Sequence, residues 1–264
     1  GIRKQRYDQA IVLPNSFKSA LIPWLAGIPI RTGFIGESRG ALLNDARRLD
    51  RAALPLMVER FAVLAEQPGA KLARPLPSPR LVIEESQRTA TLSSLGLTAQ
   101  RPIAVLCPGA EYGASKRWPA DYFAQLARRL VNEGYDVWLA GSPNDNAIAN
   151  EIASLSERPC VNLSGRTTLA PAIDLISCAT LVVSNDSGLR HTAAALDKPL
   201  NASFGSSSPA FPPPMAANAR IVRLDLPCSP CFQRVCPLGH FNCMLQLKPE
   251  LVWQRIDFAK IGRP

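Results

Sequence analysis

The chain has 264 residues, a mass of 28.6 kDa and a hydrophobic content of 47%, which is enough for two domains with buried cores. Thirty Lys and Arg against 21 Asp and Glu give a formal net charge of +9. This composition excludes a disordered or collagen-like chain, and no apolar run reaches the roughly 18 residues of a membrane span. The aromatic content of 6% argues against a stacking platform for single-stranded nucleic acid.

The first third of the chain alternates short strands with helices and ends in a proline-rich linker. Strands are predicted at Gln9–Leu13 and Arg31–Phe34, and helices at Ser16–Leu25 and Pro55–Glu66. Residues Gln67–Pro79 contain four prolines, so they cannot form a regular helix or a central strand.

This linker predicts two domains, which we place at residues 1–95 and 96–264. The first domain carries a net charge of +6, two thirds of the total. A basic surface suits an anionic partner such as a phosphorylated glycolipid, a nucleic acid or a membrane surface, although solubility alone also explains it.

After the linker, strands and helices alternate regularly. Strands are predicted at Pro102–Cys107, Tyr135–Ala140, Val161–Leu163, Leu181–Ser184 and Pro199–Phe204, and helices at Pro119–Glu133, Asn144–Leu155, Ala170–Ala179 and Leu189–Leu196. This alternation predicts an α/β domain with a parallel, doubly wound sheet. Ligands of such sheets bind at the carboxyl ends of the strands, so the site is expected in loops 108–117, 141–146, 164–168 and 185–190.

The strongest local motif is the segment Ser184–His191, where an apolar strand leads through a polar, glycine-containing turn into a helix of small residues. The backbone N–H groups of Ser187, Gly188 and Leu189 would point out of the helix start, which suits the binding of a diphosphate. Asp186 could contact sugar hydroxyls or simply cap the helix. His191 lies one turn further along the helix, where it could contact the same ligand or be structural.

A second loop, Cys107–Pro119, also joins a strand end to a helix start. Its glycines let the backbone approach a ligand, and Lys116 could neutralise a phosphate leaving group. The loop has neither the Walker A pattern nor the G-x-G-x-x-G pattern of common dinucleotide-binding proteins.

Four cysteines lie close together near the end of the chain, at Cys228, Cys231, Cys236 and Cys243. Their spacing is compatible with reduced structural cysteines, a small metal site or a disulfide cluster. A zinc-linked nucleic-acid binder is disfavoured, because basic residues do not cluster beside these cysteines and no recognition motif is present.

Taken in order, the motifs resemble the ADP-heptose:lipopolysaccharide heptosyltransferases of glycosyltransferase family 9. The segments that carry the resemblance are Leu13–Ala20, Ala26–Gly33, Leu42–Asp45, Pro55–Arg60, Cys107–Pro119, Asn162–Thr167, Ser184–His191 and Gly205–Pro209. The resemblance implies a GT-B fold of two Rossmann-like domains, the first for the acceptor and the second for the nucleotide sugar. It also implies a cytoplasmic enzyme that makes peripheral contact with the inner membrane.

The resemblance further implies an inverting transfer of heptose from ADP-heptose to the heptosyl-Kdo inner core of lipopolysaccharide. It assigns leaving-group stabilisation to Lys116 and places no cofactor, metal or nucleic acid in the reaction. The other implied site residues are, for the donor, Asp186, Ser187, Gly188, Leu189, His191, Gly141, Ser142, Gly165 and Thr167, and for the acceptor, Asn15, Ser16 and Lys18.

The family's catalytic base is the Asp of a Gly-Asp pair in the opening strand–turn–helix, and this pair has no counterpart in residues 1–264. We therefore expect an incomplete N-terminal domain. Two alternatives stay open: a family 9 transferase with another acceptor, and a fragment that binds an ADP-sugar without transferring it.

Overall fold

The computed structural model describes residues 1–209 and 214–262, which form two compact units. Residues 1–77 make up the first unit, and residues 78–209 with those from 214 onward make up the second. The boundary that we predicted after residue 95 lies inside the second unit. The intervening helix, Glu85–Leu95, packs there, because Thr91 donates a buried hydrogen bond of 2.7 Å to the Asp174 carboxylate.

The first unit is built on a three-stranded parallel sheet in the order β1-β2-β3. Its strands are β1 (Gln9–Val12), β2 (Ile30–Phe34) and β3 (Asp45–Arg47), and its helices are α1 (Phe17–Leu25) and α2 (Met57–Val63). The Ser16 side chain caps α1 by accepting a 3.3 Å hydrogen bond from the Ser19 N–H group. A small core of Val12, Ala20, Leu42 and Leu43 joins the helix to the sheet.

The second unit is built on a six-stranded parallel sheet in the order β6-β5-β4-β7-β8-β9. Its strands are β4 (Ile103–Cys107), β5 (Asp136–Leu139), β6 (Cys160–Asn162), β7 (Leu181–Asn185), β8 (Leu200–Ser203) and β9 (Ala219–Val222). The chain starts in the middle of the sheet, adds strands on one side and then adds the rest on the other. The strand order therefore reverses between β4 and β7, which is the topological switch point of a doubly wound sheet.

Helices cover both faces of this sheet. They are α3 (Glu85–Leu95), α4 (Ala120–Asn132), α5 (Asn146–Ser156), α6 (Leu169–Ser177), α7 (Gly188–Ala195), α8 (Asn242–Leu245), α9 (Pro249–Gln254) and α10 (Phe258–Ile261). One face buries Phe123, Leu126 and Ile152 of α4 and α5. The other face buries side chains of α6 and α7.

The predicted strands and helices are present within a few residues of their expected bounds. The short strand β3, helix α3 and strand β9 were not predicted. Among the described residues, no helix is both long enough and apolar enough to cross a bilayer.

Candidate functional site

The loops after β4 and β7 flank the switch point, and a buried asparagine fixes them to each other. Asn185 donates a 2.7 Å hydrogen bond from its side-chain amide to the Pro108 carbonyl. Its side-chain oxygen accepts a 3.2 Å hydrogen bond from the Trp118 N–H group. Because Asn185 has no solvent exposure, these bonds hold the loop that contains Lys116 in register with the turn that contains Asp186.

The Asp186 carboxylate lies at the centre of a buried ionic network. Lys116 Nζ and Ser207 Oγ both contact its Oδ2 atom at 2.5 Å. Arg190 contacts the other oxygen, Oδ1, through Nε at 2.8 Å and Nη2 at 2.5 Å. The exposed side-chain fractions are 5% for Asp186, 2% for Arg190 and 18% for Lys116, so only the lysine has appreciable access to solvent.

The network fixes the charge of the site. Burial alone would raise the pKa of Asp186, but the Arg190 charge, the Lys116 contact and the Ser207 hydroxyl together hold that pKa below its usual value. The carboxylate is therefore ionised at neutral pH. Two cations face one anion, which leaves an excess positive charge beside the switch point.

Helix α7 begins directly after this carboxylate, and no described side chain caps it. Its N-cap residue, Ser187, makes no capping hydrogen bond and lies 3.1 Å from the Ser184 hydroxyl. Asp186 does not serve as the cap either, because both of its oxygens are held by the ionic network. The first N–H groups of α7 are thus available to an anion, and a Cβ on Gly188 would meet no atom within 4 Å.

His191 lies within the first turn of α7 and is exposed. Desolvation by the surrounding protein and the adjacent Arg190 charge lower the pKa of His191 to about 4. The imidazole is therefore neutral at pH 7 and can both donate and accept hydrogen bonds.

A second group of predicted donor residues meets at the ends of β5 and β6. The Gly165 N–H group donates to the Gly141 carbonyl at 3.0 Å, and Ser142 donates to Asp145 from its N–H group and its hydroxyl at 2.8 and 2.7 Å. Thr167 lies further along the same loop as Gly165. Beside Gly141, the buried Ser164 hydroxyl has no hydrogen-bond partner among the described residues.

The four clustered cysteines line one small cavity together with His240. All four are free thiols, and no three Cys, His, Asp or Glu side chains within residues 1–209 and 214–262 form a group that could hold a metal ion. Burial and then the neighbouring cysteines raise the pKa of Cys243, whereas backbone N–H groups, led by that of Phe241, lower the pKa of Cys236.

The cysteine-containing segment, residues 228–243, supports the Lys116 loop. The Tyr112 hydroxyl donates to the Phe232 carbonyl at 3.0 Å, and the Ser115 N–H group donates to the Arg234 carbonyl at 3.1 Å. The segment therefore contacts the Lys116 loop through its backbone carbonyl groups.

In the first unit, the predicted acceptor residues occupy one loop and the start of α1. Asn15 and Lys18 are exposed, and Ser16 is half-buried as the helix cap. The fully buried Arg39 fastens this loop, because it donates 2.7 Å to the Asn15 side chain and 2.6 and 2.9 Å to the Phe34 carbonyl.

Arg190, Ser207 and Arg39 are among the residues of these networks that were not predicted. For Arg190 a signal existed, because it stands four residues after Asp186 on a helix, a spacing that brings opposite charges together. Ser207 and Arg39 reach their partners across 21 and 24 residues, and no local pattern reports such contacts.

The strand order of this all-parallel sheet defines a Rossmann-like fold, a class that binds nucleotides at the strand ends. The uncapped start of α7 and the lysine at the switch point are features that suit such a ligand. The model for glycosyltransferase family 9 (heptosyltransferase) matches residues 1–242, so the chain belongs to this family. The predicted α/β, GT-B class and the prediction of a glycosyltransferase are thereby confirmed.

Individual relatives match over nearly the whole chain. Lipopolysaccharide heptosyltransferase 2 of Salmonella typhimurium is 46% identical over 264 residues, which cover 97% of this chain and 76% of the relative. The protein of the same name from Escherichia coli K12 is 44% identical over 265 residues, with 97% and 76% covered. The solved structure of Escherichia coli ADP-heptose lipopolysaccharide heptosyltransferase II is 43% identical, with a TM-score of 0.88 over 98% of this chain and 78% of that one.

Proposed function

We propose that this protein transfers heptose, with inversion, from ADP-heptose to the heptosyl-Kdo inner core of lipopolysaccharide. The observation that carries the proposal is the contact of Lys116 with Asp186 beside the uncapped start of α7. Relatives at 44–46% identity that are named lipopolysaccharide heptosyltransferase 2 support the choice of sugar and acceptor.

In this proposal the donor diphosphate binds between the α7 start and Lys116. The N–H groups of Ser187, Gly188 and Leu189 contact its oxygens, and the neutral His191 supplies a further hydrogen bond. Lys116 leaves Asp186 for the diphosphate and stabilises the negative charge that grows on the departing ADP.

The transfer itself is a single displacement at the anomeric carbon. A bond forms from the acceptor oxygen to this carbon while the bond from the carbon to the diphosphate oxygen breaks, and the acceptor proton passes to a base. We assign the base to none of the described residues, since the Gly-Asp pair that the family resemblance implies for this role has no counterpart in residues 1–264. Asp186 is unsuited to it, because Arg190 holds Oδ1 and the Ser207 hydroxyl holds Oδ2 even after Lys116 has left.

We place the adenosine at the ends of β5 and β6, against Gly141, Ser142, Gly165 and Thr167. Support comes from the unpartnered Ser164 hydroxyl, because a buried polar group without a partner costs roughly 1–3 kcal/mol unless a ligand satisfies it. No cofactor is part of the proposal, since Lys116 and the helix start can offset the diphosphate charge.

We assign the acceptor to the first unit, through Asn15, Ser16 and Lys18. This unit contains 12 Lys and Arg against 6 Asp and Glu, a balance that suits a phosphorylated glycolipid. Helix α1 also exposes Ile22, Trp24 and Leu25, which supports peripheral contact with the cytoplasmic face of the inner membrane.

Two measurements on the full chain test the proposal. Calorimetry with ADP in the presence of EDTA should show binding, and its absence from a folded sample would overturn the donor site. Mass spectrometry after incubation with ADP-heptose should show one added heptose on inner cores that carry the first heptose. Addition only to cores that lack this heptose would indicate a different acceptor, and binding without any transfer would favour the ADP-sugar-binding fragment.

A further inference from the structure

Arg190 is a cation of the donor site that a ligand cannot reach directly. Only 2% of its side chain is exposed, and its guanidinium packs 5.1 Å from the centre of the Phe204 ring. Its Nε and Nη2 atoms both contact Asp186 Oδ1, whereas Lys116 and Ser207 use Oδ2. The two cations therefore hold opposite oxygens of one carboxylate.

This division matters because, in the proposed function, Lys116 moves from Asp186 to the donor diphosphate. If Lys116 were the sole cation beside Asp186, its departure would leave a buried carboxylate without a counter-ion, which is strongly unfavourable. Arg190 removes this obstacle, since Asp186 keeps a cation on Oδ1 after the lysine has left Oδ2. Arg190 also repels the ammonium group of Lys116, which weakens its hold on the carboxylate.

We propose that Arg190 is a positioning residue for donor binding: it keeps Asp186 neutralised through Oδ1, so that Lys116 can move from Oδ2 to the diphosphate of a nucleotide sugar. The inference rests on the proposed donor site. In this proposal, the contact between Lys116 and Asp186 is the state before the donor binds. Arg190 allows Lys116 to change partners without itself touching the ligand.

The test is a set of variants whose ADP affinity is measured by calorimetry. Arg190→Met, which keeps the approximate volume but removes the charge, should weaken ADP binding about 10- to 100-fold, because Lys116 becomes trapped on Asp186. Arg190→Lys should recover most of the affinity. The double variant Asp186→Asn with Arg190→Met should bind ADP more tightly than Arg190→Met alone, because an amide does not trap the lysine.

The double variant tests whether the Asp186 carboxylate traps Lys116. If it does not, replacing this carboxylate with an amide frees no lysine, so a double variant that binds ADP no more tightly than Arg190→Met would overturn the proposal. Wild-type affinity in Arg190→Met would also overturn it. In kinetics of a chain that transfers heptose, Arg190→Met should raise the donor KM by a larger factor than it lowers kcat.

Arg129→Met is the matched control, because Arg129 forms an exposed ion pair with Glu250 away from the site, and it should bind ADP as the wild type does.

A readout that needs no nucleotide is the acylation rate of Lys116, which peptide mass spectrometry follows. Acylation should be slower in Arg190→Met than in the wild type, and an equal rate would contradict the trapping of the lysine. Should the wild type fail to bind ADP, the proposed function falls while this rate still tests Arg190. Should Arg190→Met not fold, Arg190→Lys and the double variant decide: near-wild-type affinity in both supports the proposal, and a double variant weakened 10-fold or more contradicts it.

Discussion

Substituting Gly113 by alanine should displace the Lys116 loop from the cysteine-containing segment. A Cβ at this position would lie 2.3 Å from the Arg234 carbonyl oxygen and 3.0 Å from its carbon, so the two backbones must separate by about 1 Å to reach ordinary contact. The Ser115 N–H group donates to this same oxygen at 3.1 Å, and the separation breaks that bond.

The magnitude follows from these two effects. Overpacking costs about 1–3 kcal/mol of unfolding free energy, and a lost backbone hydrogen bond adds about 1 kcal/mol. Because Lys116 lies one residue beyond Ser115, a shift of about 1 Å should also weaken ADP binding. Calorimetry measures both the unfolding transition and the ADP affinity.

Gly40→Ala is the control for this substitution, because a Cβ at Gly40 meets no atom within 4 Å. It should change the free energy of unfolding by no more than about 0.5 kcal/mol. Unchanged unfolding and ADP affinity in Gly113→Ala would refute the claim that the cysteine-containing segment holds the Lys116 loop.

Three further predictions concern stability, ionisation and the cysteines. His191 has a lowered pKa of about 4, so its contribution to stability is fully present above pH 6.5 and is lost as the pH falls toward 4. His191→Gln should therefore reduce the loss of unfolding free energy between pH 7 and pH 5. An unchanged loss would exclude this residue as a cause. Thr91→Val removes the 2.7 Å hydrogen bond to the buried Asp174 and should lower the unfolding free energy by about 1–3 kcal/mol in chemical denaturation, whereas no change would show that the carboxylate finds another partner. Elemental analysis of purified protein should find no stoichiometric metal if Cys228–Cys243 is a cluster of structural thiols, and one metal ion per chain would contradict that interpretation.

The strands and helices around the donor site were predictable, because each buried strand is a short apolar run followed by a turn and an amphipathic helix. Strand β4 lies inside the predicted range Pro102–Cys107. Strand β7 extends one residue beyond the predicted range Leu181–Ser184. Helix α3 was missed because its sequence, Glu85–Leu95, is largely polar, and its place in the second unit depends on the distant Asp174.

For the site residues too, local motifs were predictable and contacts between distant segments were not. Lys116 and Asp186 were singled out by the loops that contain them, but nothing in the sequence indicated that they contact each other across 70 residues. Capping of α7 by Asp186 was the simplest local interpretation of that residue. The structure corrects it, because two cations and the Ser207 hydroxyl occupy the carboxylate and leave the helix start uncapped.

The relative affinity for ADP and AMP of the wild type and Lys116→Met tests the central claim most directly. The account predicts that the wild type prefers ADP, and that Lys116→Met loses about 10- to 100-fold of ADP affinity while AMP binding changes little, since one charge-assisted hydrogen bond contributes about 1.5–3 kcal/mol. The exposed Lys71→Met should retain the wild-type preference. An undiminished preference for ADP in Lys116→Met would contradict the assignment of the donor diphosphate to this lysine.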